Sequence, residues 1–103
     1  MSIEREVVVG EMTAAERETV VALWTHCGLT RPWNDPEADM ALAEATDNAT
    51  ILVAREGGTV VGAAMTGHDG HRGALYYLGV DPDNRRGGVG RALVQAAEAW
   101  CRS

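Results

Sequence analysis

Asp81-Pro-Asp-Asn-Arg-Arg-Gly-Gly-Val-Gly-Arg91 stands between an apolar run, residues 74–80, and a segment with Val89, Leu93, Ala97 and Trp100 at helical spacing. A glycine-rich turn that leaves a strand and enters a helix suits an anion. Glycines lack the Cβ that would keep a ligand from backbone N–H groups, the first helical turn has donors with no intrahelical acceptor, and the helix dipole favours negative charge. Arg85, Arg86 and Arg91 flank this turn and only Asp83 opposes them between positions 82 and 91, so the stretch is +2 within a chain of net charge −6. Such arginines add charge-assisted hydrogen bonds to phosphate oxygens. Two familiar phosphate loops fail on spacing. A Walker A loop needs Gly-Lys-Ser or Gly-Lys-Thr, and a dinucleotide fingerprint opening at Gly88 needs glycine or alanine where Leu93 stands. The same composition also serves a plain strand-to-helix connection.

Upstream of this turn the period is that of strands. Residues 51–54, 60–65 and 74–80 are short apolar runs separated by Glu56-Gly-Gly58 and Asp69-Gly70, which are turn signals, and they predict a three-stranded meander. Their nearly continuous apolarity predicts a sheet covered on both faces. Residues 5–9 read as a further strand. Thr13-Ala-Ala-Glu16 reads as a capping box opening a helix with Val20, Leu23, Trp24 and Cys27 on its buried face, closed at Gly28. Asp35-Pro36 reads as an N-cap with proline at the first helical position, opening a second helix through Ala38, Ala41, Leu42 and Ala45. The expected fold is a mixed α/β domain over residues 1–103, with a mainly antiparallel sheet flanked by helices in the order β-α-α-β-β-β-α.

Composition excludes several classes. A chain of 103 residues leaves room for one domain. Its longest apolar runs, 59–66 and 74–80, fall short of the roughly 20 residues that cross a bilayer, so no membrane partner is expected. Glu4 and Glu6 occupy the place where a secretory signal needs a basic flank, which predicts a cytoplasmic chain with Cys27 and Cys101 as reduced thiols. With no lysine and an acidic balance, it is a poor binder of nucleic acid. Residues 1–50 carry a net −7 and residues 51–103 a net +1. The acidic half favours a cationic partner through electrostatic steering.

Arg85-x-x-Gly88-x-Gly90, preceded by an apolar strand and Asp-Pro and followed by Arg-Ala-Leu-Val, resembles the signature of the GNAT superfamily of acyl-CoA-dependent N-acyltransferases. Leu23-Trp24, Arg31-Pro-Trp-Asn-Asp-Pro-Glu37 and Asp69-Gly-His-Arg-Gly-Ala-Leu-Tyr-Tyr-Leu-Gly79 resemble the small bacterial YpeA-type acetyltransferases. The resemblance implies an N-acetyltransferase that binds acetyl-CoA. Its pyrophosphate is expected at Arg85, Arg86, Gly87, Gly88, Val89, Gly90 and Arg91, and its pantetheine arm against backbone groups of Leu78, Gly79 and Val80. It also implies an amine acceptor, for which Trp33, Asn34 and Tyr76 are the candidate contacts, although a large aromatic at position 33 equally suits a cap on the core. Arg86 departs from the glycine found in many members and reinforces the positive charge. The family continues after the third helix with a strand, a helix and closing strands, whereas this sequence stops at Ser103, so it reads as a truncated GNAT fold. The tyrosine that usually protonates the departing thiolate has no counterpart after Arg91, and no catalytic acid or base is assigned. The competing reading is a non-catalytic acyl-CoA-binding or interaction module.

Three smaller readings complete the sequence. His68-Asp-Gly-His71 lacks a third convergent ligand and reads as a polar hairpin turn with no metal. Strand alternation puts Tyr76 and Tyr77 on opposite faces, with one of them in the core. The run 74–80 carries no proline or charge, and as an edge it predicts a homodimer or larger self-assembly along that strand.

Overall fold

The structure, a computed structural model, describes residues 6–30, 32, 33 and 35–102, with the side chains of residues 85–87 outside that description. Four strands, β1 (Val7–Glu11), β2 (Ala49–Glu56), β3 (Thr59–His68) and β4 (Gly73–Val80), form one antiparallel sheet in sequence order. Helices α1 (Arg17–His26) and α2 (Pro36–Glu44) precede β2, and α3 (Val89–Arg102) follows β4. This is the expected mixed fold in the expected order.

The sheet is covered on both faces, as its continuous apolar runs require. One core lies under α1 and α2, where Val20, Leu23, Trp24, Met40 and Ala43 meet Ile51, Val53, Ala63 and Met65. The other lies under α3, where Val89, Leu93 and Ala97 meet Leu52, Ala54 and Val61. Alternation along β2 sends Ile51 and Val53 one way and Leu52 and Ala54 the other. Gly62 lets α3 settle close to the sheet: a Cβ there would stand 2.8 Å from Val89 Cγ1 and 3.0 Å from Leu93 Cδ1. No helix among the described residues is long and apolar enough to cross a membrane.

Some local expectations shift. The first strand runs over Val7–Glu11, past the expected end at Val9, because Gly10 and Glu11 still pair with Val53 and Leu52, and Arg5 lies outside the described residues. The Thr13 to Glu16 box forms, with Thr13 N–H donating to Glu16 Oε1 at 2.9 Å, but it closes a 3-10 turn (Ala14–Glu16) and the α-helix starts at Arg17. Glu16 is recruited elsewhere as well. Both nitrogens Nε and Nη2 of Arg55 donate to it, at 2.6 and 2.7 Å, tying α1's entry to β2. This fork holds the Glu16 carboxyl down to about 2 and raises Arg55.

The second helix forms where its capping residues predict it. Asp35 caps it as expected, Oδ1 accepting from the N–H groups of Glu37 and Ala38, and Pro36 opens it. The buried positions are Met40 and Ala43, while Ala38, Ala41 and Ala45 are exposed and Leu42 is 70% exposed. Alanine and leucine fit either face of a short helix. Met40 and Ala43 turn in and join the core that Val20, Leu23 and Trp24 form beneath α1.

Candidate functional site

The turn after β4 is fixed by a chain of hydrogen bonds. Asp81 N–H donates to Val61 O at 2.8 Å, continuing the sheet one step beyond Val80. Asp81 Oδ1 then accepts from Asp83 N–H at 3.0 Å, and Asn84 N–H returns to Asp81 O at 2.8 Å. These bonds wind Pro82–Gly87 into a 3-10 turn, and the Asn84 side chain anchors it to the body by donating to Glu56 Oε2 at 2.9 Å. Gly88 ends the turn in the left-handed region, φ +76°, and redirects the chain into α3.

The consequence is a helix N-terminus opened by an exposed glycine. Ala92 N–H donates to Gly88 O at 3.0 Å, and the N–H groups of Val89, Gly90 and Arg91 belong to the first turn of α3, where an α-helix offers no intrahelical acceptor. Nothing lies within 4 Å of where a Gly88 Cβ would be, and a Gly90 Cβ would meet only Val80 Cγ2 at 3.7 Å. Val89 is buried against β3 and pins the turn, while the Arg91 side chain is exposed beside it. The backbone of residues 85–87 is in the 3-10 turn, and the side chains of Arg85 and Arg86 lie outside the described residues. An open cradle of first-turn donors with an arginine at its rim fits the phosphates of a nucleotide-bearing cofactor.

β4 departs from a regular strand just before this turn. Tyr76 pairs with Met65 and Gly79 with Ala63, so Tyr77 and Leu78 together face the single Ala64. This is a β-bulge, and Tyr77 takes φ +53° to make it. The extra residue breaks the alternation expected of two consecutive tyrosines. Tyr76 and Tyr77 line the same cavity under α2, instead of pointing to opposite faces. The Tyr77 ring stacks on Trp24 with centroids 4.6 Å apart, and its hydroxyl donates to Asp39 Oδ2 at 2.5 Å. Trp24 is itself held, its indole N–H reaching Ala63 O at 3.4 Å.

The remaining candidates are scattered around this frame. Leu78 is 37% exposed on the bulge, Gly79 is buried against Trp24, Cys27 and Leu29, and Val80 O accepts from the Cys27 thiol at 3.4 Å. Trp33 is 79% exposed in the loop between α1 and α2 and does not line the cavity that Tyr76 lines. Asn34 lies outside the described residues. Sequence reasoning missed Asp39, whose role depends on a bulge that no local pattern announces.

The hairpin between β3 and β4 closes on its own aspartate. Asp69 Oδ1 accepts from the N–H groups of His71 and Arg72 at 2.9 and 2.8 Å, which lowers its pKa. The His68 ring leans on Trp100, centroids 5.6 Å apart, and no metal-binding group of three His, Cys, Asp or Glu side chains occurs among the described residues. A cavity of about 630 Å³ opens between this hairpin, the outer part of β4 and the end of α3, with Thr66, Leu75, Ala97 and Cys101 in its walls.

Known proteins resemble this chain in sequence and in fold. The chain is 52% identical to an acetyltransferase of Yersinia pestis over 81 residues, 79% of this chain and 57% of that protein. An acetyltransferase of Pectobacterium atrosepticum is 49% identical over the same shares. The chain thus spans a little over half the length of these relatives. Among solved structures, the aminoglycoside acetyltransferase AAC(6')-Iy in complex with a CoA-based bisubstrate analogue superposes with a TM-score of 0.77 at 20% identity, covering 92% of this chain and 71% of that one. Glucosamine-6-phosphate N-acetyltransferase from Arabidopsis thaliana gives 0.70 at 17% identity, covering 94% and 75%. The model of the acetyltransferase (GNAT) family matches residues 14–103, and the chain belongs to that family.

Proposed function

We propose that the chain binds acetyl-CoA and transfers its acetyl group to an amine. The observation that carries this reading is the turn from Asp81 to Arg91, a glycine-opened helix N-terminus at the end of a bulged strand, in a chain that belongs to the GNAT family. First-turn N–H groups of Val89, Gly90 and Arg91 receive the pyrophosphate, with Arg85, Arg86 and Gly87 alongside, and the backbone from Leu78 through Val80 guides the pantetheine arm. Bound there, acetyl-CoA supplies an acetyl group that leaves sulfur for the amine nitrogen, the thiolate taking up the proton the amine gives up. The protein contributes position and hydrogen bonds. Cytoplasmic location fits the two free thiols, Cys27 and Cys101.

Calorimetry with CoA tests the site. Arg91→Gln is expected to weaken CoA binding roughly five- to tenfold while leaving a phosphate-free pantetheine thioester unaffected, and raising ionic strength should weaken CoA binding in the same way. CoA affinity indifferent to both salt and Arg91 overturns the assignment. Release of free CoA in a mixture of amines separates transfer from simple binding.

Self-assembly along β4 belongs to the same reading. β4 is the last strand in the sheet order and has no charged residue from Gly73 to Val80. Edges of this kind pair with other chains. Sedimentation at micromolar concentration is expected to show a dimer or larger species, and a clean 11.0 kDa monomer removes the idea.

A further inference from the structure

The cavity that the bulge opens lies on the α2 side of the sheet, away from α3, and encloses about 360 Å³. Its walls are nearly all apolar, from Leu42 and Ala43 on α2 to Met65 on β3 and Tyr76 and Tyr77 on β4, and they contain one carboxylate, Asp39. That carboxylate is partly buried and is held from one side. Its Oδ2 takes the Tyr77 hydroxyl at 2.5 Å, while Oδ1 has no hydrogen-bond partner among the described residues. Tyr77 is held in turn by its stack on Trp24 and by a left-handed backbone that a bulky residue adopts only where its surroundings fix it. At the mouth, Leu42 and Tyr76 leave large apolar surfaces in water, 70% and 56% exposed. A fixed carboxylate in an apolar slot complements a cation, and exposed apolar surface beside it complements a hydrocarbon or ring attached to that cation.

We propose that this cavity seats the acceptor, and that the acceptor is a primary amine carried on an apolar or aromatic body. Asp39 Oδ1 accepts from the amine N–H, and Tyr76 with Leu42 covers the body. The fate of the bound amine rests on the acetyltransferase reading, but its binding does not, so the two are tested apart.

The test titrates three probes into the 103-residue chain without acetyl-CoA, followed by the NMR signals of the tyrosines and of Met65. 2-Phenylethylamine has both features, ethanolamine lacks the body and 2-phenylethanol lacks the charge. The full probe is expected to bind at least tenfold more tightly than either partial one. Asp39→Asn should cost the amine about tenfold and leave 2-phenylethanol unchanged. Leu42→Ser, at an exposed position outside the core, should weaken both aromatic probes about threefold and spare ethanolamine. In turnover, Asp39→Asn should raise the KM for the amine and leave the KM for acetyl-CoA unmoved. The proposal is overturned if Asp39→Asn and Leu42→Ser bind 2-phenylethylamine as the parent does, if its shifts fall outside the cavity, or if no probe binds a chain that binds CoA. Amine binding at Asp39 in a chain that does not bind CoA supports the cavity and overturns the acetyltransferase reading.

Discussion

The turn after β3 and the turn after β4 use the same residue types, and they arrive at different chemistry. Each opens on an aspartate whose Oδ1 accepts from the backbone, two N–H groups at Asp69 and one at Asp81, and each contains a left-handed glycine and carries arginine. In the hairpin the donors are consumed inside the turn: His71 and Arg72 both give theirs to Asp69, and Asp69 N–H returns to Arg72 O at 3.2 Å. After β4, Asp81 takes the N–H groups of Asp83 and Asn84, and Gly88 hands the chain to a fourteen-residue helix whose first-turn N–H groups have no intrahelical acceptor. The difference lies in what stands behind each turn. A strand that goes back into the sheet uses its N–H groups there, whereas a helix leaves its first turn open.

The helix must also be docked for the comparison to hold, which makes Gly62 the place where it breaks most severely. A Cβ there would overlap Val89 and Leu93 and stand 3.3 Å from Gly79 O, with backbone on one side and buried side chains on the other. Gly62→Ala is expected to cost about 2–3 kcal/mol by overpacking and to lower Tm by roughly 10 °C or more. CoA binding should fall with it, while the amide signals of His71 and Arg72 stay in place. An unchanged Tm in thermal unfolding contradicts this account of α3 docking.

Gly88→Val and Gly70→Val sharpen the contrast directly. Both glycines have positive φ, +76° and +90°, and neither has an atom within 4 Å of an added Cβ, so the cost of either is backbone strain alone. Each should lose about 1–2 kcal/mol, with matching drops in Tm. Only the Gly88 variant should lose CoA affinity, by tenfold or more, because only there does the side chain enter the space that phosphate needs. Equal CoA affinity for the two variants would mean that the β4 turn is not the site.

What could be read in advance follows the range of the interactions. The strand runs, the two-sided cover of the sheet and the glycine turn are local patterns, and they stand where the residues put them. The buried face of α2 is not legible in the same way, because Ala38, Ala41 and Leu42 satisfy a helical stripe as well as Met40 and Ala43 do, and the choice belongs to the floor beneath. The Tyr76-Tyr77 pair misled for a different reason. Alternation assumes one residue per position of the neighbouring strand, and at Ala64 there are two. Asp39 came into view only through that bulge, since its partner is 38 residues away in sequence.

The smallest effect is a titration. The N–H groups of Arg72 and His71 hold the Asp69 carboxyl below its ordinary value of 3.8. A carboxylate lowered on folding contributes stability above its unfolded value and loses it as pH falls through the lower folded one, so the hairpin loosens on the acid side of 3.8. The amide shifts of His71 and Arg72 should therefore titrate together, with a midpoint below 3.8. Asp69→Ala should abolish that titration and leave CoA affinity at pH 7 within twofold of the parent, because the hairpin's donors are occupied by its own aspartate and offer none to a ligand. A midpoint at or above 3.8, or a large loss of CoA binding in Asp69→Ala, would show that the two turns are coupled and that the hairpin takes part in holding the cofactor.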